Sequence, residues 1–186
     1  MEGNEVGDEN FDDKEFWAMV AFHEAGHVAV ALSLGLELCE KGVVLQHDPT
    51  VNSYGMAYTR EQTPREFSFQ PDANELQRIQ KHLLVDLAGY AVQAKVQQLS
   101  EFPKKYEAAP EISYALFLCD HLYGSKAACS KFNALFQQVR EILDRPAVWL
   151  FVRTLAGELS RTRSVSESRI EQIWEFAHWK CSDSST

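Results

Sequence analysis

The chain holds four cysteines, Cys39, Cys119, Cys129 and Cys181, and none lies in a C-x-x-C pair. Neither a zinc knuckle nor a thioredoxin-type redox motif is signalled, so reduced thiols in a reducing compartment are expected. Positive charge is scarce: 18 Lys and Arg stand against 27 Asp and Glu, a net charge of −9. Phosphate recognition rests on clustered cations, which argues against nucleic acid or an anionic membrane surface as the main partner. No apolar run is long enough to span a bilayer, so no membrane insertion is expected. Residues 1–13 are acidic and polar, which predicts a flexible tail and not a signal peptide. What remains is ordinary globular material, 186 residues with 45% hydrophobic and 24% charged. That suffices for one domain with a buried core over residues 14–180, a short tail at 181–186, and a soluble, cytoplasmic protein.

Apolar periodicity predicts a mainly α-helical fold with one small sheet. Lys14 to about Leu34 reads as an amphipathic helix stopped by Gly35. Lys41 to Gln46 and Tyr54 to Thr59 read as an antiparallel strand pair. Asp72 and Glu75 have capping-box spacing ahead of a stripe of Leu76, Ile79, Leu83, Leu87, Tyr90 and Ala91, a helix to about Leu99. Gly89 inside that helix predicts close approach of another element, since an interior glycine otherwise costs about 1 kcal/mol. Further helices are expected from Pro110 to Tyr123, from a Ser125 cap to about Asp144, from Pro146, and from Ser164 or Ser166 through Trp179. Trp149, Trp174 and Trp179 fall at helical spacings that predict core positions.

Chemistry enters in the first helix, which reads His23-Glu24-Ala25-Gly26-His27, an H-E-x-x-H motif. Residues four apart lie one turn up the same helix face, so two imidazoles can converge on one cation. Zinc lowers the pKa of bound water to about 7. Glu24, beside the first histidine, is placed to take a proton from that water and pass it to a leaving amine. Two histidines leave a catalytic zinc one protein ligand short. Residues 28–33 hold no third histidine, so that ligand must come from elsewhere in the chain. His47, His82 and His178 read as surface or core residues.

The stretch Ala21 to Leu32 resembles the zinc-peptidase domain of FtsH-type proteases, whose HEAGH is followed by small and aliphatic residues. Lys41 to Tyr58, with Gly55, resembles that family's hairpin, and Leu87-Ala88-Gly89-Tyr90-Ala91-Val92 its L-A-G-x-A-A-E segment. The resemblance spans about residues 15–178 and implies a helical, zincin-like domain holding one Zn2+. In the family the third ligand is an aspartate opening a later helix, followed four residues on by Ala. Glu111, followed by Ala115, falls on that position. Glutamate is an accepted zinc ligand. Asp120, Asp86 and His121 are alternatives, and Asp86 could instead orient a histidine ligand. Val92-Gln93 stands where the family has Ala-Glu, so any role of that glutamate is not carried over.

The sequence contains no G-x-x-x-x-G-K-[ST] loop. The resemblance is therefore to the peptidase part alone, without the family's ATPase motor or membrane helices. It implies a metallopeptidase that cuts unfolded polypeptides or takes substrates from a separate ATPase or adaptor. The alternative is a metal-binding module of the same fold that no longer cuts.

Overall fold

The computed structural model describes residues 14–47, 54–59, 71–99 and 109–183; the expected acidic tail lies outside them. The fold is mainly helical with a small antiparallel sheet. The elements run α1 (Lys14–Ser33), β1 (Leu38–Val44), β2 (Met56–Thr59), α2 (Ala73–Val96), α3 (Pro110–Tyr123), α4 (Ser125–Leu143), α5 (Pro146–Thr162), β3 (Ser164–Val165) and α6 (Glu167–Asp183). No helix among the described residues is long and apolar enough to cross a membrane.

Helix α1 is the centre of the molecule. Val28, Ala29, Val30 and Ala31 are all fully buried, so four successive directions around the axis face protein. The expected amphipathic helix is thus corrected: α2 and α5 pack on α1, and a helix apolar all round is a core helix. Gly35 ends this segment at φ +71°, and the Lys81 ammonium of α2 bonds the Leu34 carbonyl at 3.1 Å, meeting the negative end of the α1 dipole.

The start of α2 is as read, with the Asp72 carboxylate accepting from the Glu75 N–H at 2.8 Å. Pro110 opens α3 and Gly124 closes it at φ +76°. Ser125 is the first helical residue of α4 and not its cap; Gly124 occupies the cap position. Ile170, Ile173 and Ala177 form the buried stripe of α6. Trp179 falls off that stripe and is 62% exposed, correcting its expected core position. The Ser182 hydroxyl bonds the His178 carbonyl, and α6 continues to Asp183.

The sheet order is β2-β1-β3. Val43 faces Ala57 on one side and Val165 on the other, both antiparallel. Strand β3 was not legible in the sequence, because two residues carry no periodicity. Its position is fixed by Gly42, where φ is +63° and a Cβ would stand 2.1 Å from the Val165 carbonyl oxygen. The expected strand pair is present, with β1 starting earlier, at Leu38, and β2 lying at the outer side of the sheet.

Candidate metal centre

The H-E-x-x-H residues meet α2 at two glycines, Gly26 of α1 and Gly89 of α2. A Cβ on Gly26 would lie 2.8 Å from the Ala88 carbonyl oxygen. With hydrogen there instead, the backbones close together and α2 presents two features to the motif. The Val85 carbonyl accepts a 2.7 Å hydrogen bond from His27 Nδ1. That bond fixes the proton on Nδ1 and leaves the Nε2 lone pair for a ligand. Gly89 lies against the His23 ring, where a Cβ would stand 2.5 Å from Cε1 and Nε2. The two imidazoles sit edge to face, with centroids 4.6 Å apart.

Burial holds the His23 pKa well below 6.5, and the neighbouring His27 lowers it further, against a hydrogen bond with Gln93. The ring is therefore neutral near pH 7, the form that binds metal. Its Nδ1 is sealed from solvent and has no hydrogen-bond partner among the described residues.

Glu24 is 6% exposed. Burial raises its carboxyl from 4.5 to about 6; His27 opposes the shift, the Glu111 charge adds to it, and a hydrogen bond with the Ala57 backbone lowers it. Gly55 seats the side chain, since a Cβ there would meet Glu24 Cγ and Oε1 at 2.7 Å. A carboxylate titrating near 6 suits general-base work at neutral pH.

Glu24, His27, Asp86 and Glu111 line one cleft of about 270 Å³, with Gly55, Met56 and Ala57 as its strand wall. No lysine or arginine lines it among the described residues. Burial raises Asp86 from 3.8 to about 6, with His27 opposing and Glu111 reinforcing. Asp120 and His121 are exposed on α3 and do not line the cleft. His178 is exposed, and His47 stacks on Tyr54 with centroids 4.5 Å apart.

Several residues here were not singled out as site residues by the sequence. His82 is buried and lines the cleft. Tyr90 packs edge-on against His23 at 4.7 Å and donates its hydroxyl to Glu111 Oε2 at 3.2 Å. With Asp86, Gly89 and Gln93 they recur at three- and four-residue steps along α2. His82, Asp86, Tyr90 and Gln93 on one face of α2 at helical spacing were the available signal.

The donor types here, imidazole and carboxylate, are ones a divalent cation takes, although His23 is not among the residues that line the cleft. Two imidazoles lie together, one with a sealed nitrogen that has no partner among the described residues, and three carboxylates share a cleft that no lysine or arginine of the described residues lines. The set is gathered and not closed: among the described residues no three His, Cys, Asp or Glu side chains form a group that could hold a metal ion. Compared with known proteins, the chain matches no family model and no curated protein significantly.

Proposed function

We propose that this chain is a zinc-dependent metallopeptidase that hydrolyses polypeptides, related in fold and site to the FtsH-type peptidase domain its sequence resembles. The observation that carries the reading is the buried Glu24 carboxylate, seated against Gly55 and lining the same cleft as His27. His23, His27 and Glu111 would hold the ion. Zinc bound there would supply Lewis acidity and lower the pKa of a bound water to about 7.

Glu24 would take the proton of the attacking water on its carboxylate and return it to the leaving amine. His27 is held in the ligating tautomer by Val85. The substrate lies extended beside β2, the outer strand, whose Met56 and Ala57 wall the cleft. Unfolded chains are the direct substrates, and folded ones would need an ATPase or adaptor to deliver them. The setting is soluble and cytoplasmic.

The second reading, a metal-binding module that no longer cuts, is motivated by Glu111 standing where the resembled family has an aspartate. Metal analysis of purified protein, paired with cleavage of an unfolded protein, separates the two. Zinc together with cleavage that Glu24→Gln abolishes supports the peptidase. Zinc without cleavage supports the module, and a protein that takes up no zinc defeats both.

A further inference from the structure

We infer that Tyr90 is the positioning residue of this centre: its hydroxyl holds one oxygen of Glu111 while its ring backs His23, so one side chain fixes two donors that come from different helices. The inference rests on the metallopeptidase reading and names how the third donor is held. The hydroxyl of Tyr90 in α2 reaches Glu111 Oε2 in the first turn of α3 at 3.2 Å. Its ring stands at 88° to the His23 ring, with centroids 4.7 Å apart. Gly89, the preceding residue, leaves room for that imidazole against the α2 backbone.

A glutamate side chain has three rotatable bonds and gives up that freedom on ligation. Tyr90 takes much of it away beforehand. A donor that bonds a ligating carboxylate typically changes metal affinity by about 10- to 100-fold when removed. Neither Tyr90 nor His23 is among the residues lining the cleft, so Tyr90 acts through the side chains of Glu111 and His23 and not on substrate.

The test is zinc affinity, by competition with a chromophoric chelator, for the native chain, Tyr90→Phe, Glu111→Gln and the double variant. Cobalt absorption spectra of the same four proteins report the coordination. Tyr90→Phe is expected to bind zinc about 10- to 100-fold more weakly with altered cobalt bands, and to cost nothing further once Glu111 is changed. Native affinity and native bands in Tyr90→Phe overturn the inference, as does an equal loss in the Glu111→Gln background. A crystal structure of the zinc-loaded native chain tests it without any variant: Glu111 shared between zinc and the Tyr90 hydroxyl supports it, and a hydroxyl turned away overturns it. A native chain that binds no zinc defeats the metallopeptidase reading itself, a different result from zinc binding indifferent to Tyr90.

Discussion

Gly89 of α2 lies against the imidazole of His23 on α1, so closely that a methyl group in place of its hydrogen would stand 2.5 to 2.6 Å from three ring atoms. Alanine in a helix interior normally gains about 1 kcal/mol over glycine. Here the gain is forgone because the ring occupies the space.

Two glycine substitutions are therefore expected to act in opposite directions. Gly157→Ala, in the exposed interior of α5 with nothing within 4 Å of the added Cβ, should raise stability by up to about 1 kcal/mol. Gly89→Ala should displace His23 and weaken zinc binding at least about tenfold. Denaturant titration and chelator competition measure the pair, and native zinc affinity in Gly89→Ala would show that the His23 position does not matter.

Removing the base should separate binding from turnover. Glu24→Gln is expected to retain zinc while cleavage of an unfolded protein falls by about 10²- to 10⁴-fold. Gly55→Ala should reproduce part of that loss with zinc retained, because its Cβ would press on Glu24 at 2.7 Å. Steady-state assays with parallel metal analysis distinguish these from a fold defect. Undiminished cleavage by Glu24→Gln would remove Glu24 from the mechanism.

Metal-free stability should carry the signature of the same carboxylate. Burial raises Glu24 from 4.5 to about 6, so the folded protein prefers it protonated. Its contribution is full below about pH 4.5 and is lost as pH rises through about 6, a difference of about 2 kcal/mol. Glutamine stays neutral throughout. In chelator, Glu24→Gln should thus match the native chain at pH 4 and exceed its stability by about 2 kcal/mol at pH 7.5. Parallel stability curves across that range would contradict the burial assigned to Glu24.

At the sheet, Gly42→Ala should cost at least about 2 kcal/mol, since it combines a left-handed backbone with a 2.1 Å contact to the Val165 carbonyl. Zinc affinity should change little, because Gly42 does not line the cleft. Thermal or chemical denaturation checks the first statement and chelator competition the second; an unperturbed Gly42→Ala would deny the close approach of β1 and β3.

The sequence by itself determined the helices, because their signals are local. Asp72, Pro110, Gly124 and Pro146 mark ends that depend only on neighbouring backbone, and the pairing of His23 with His27 follows from helix pitch. The need for close approach at Gly89 was legible too, as a missing side chain in a helix interior. Packing decided the rest. Val85 meets His27, Tyr90 joins His23 to Glu111, and His82 enters the cleft only once α2 crosses α1 and α3 closes beside it. Those contacts join residues from 21 to 67 positions apart, and periodicity within one helix holds no information about which face of another it will meet.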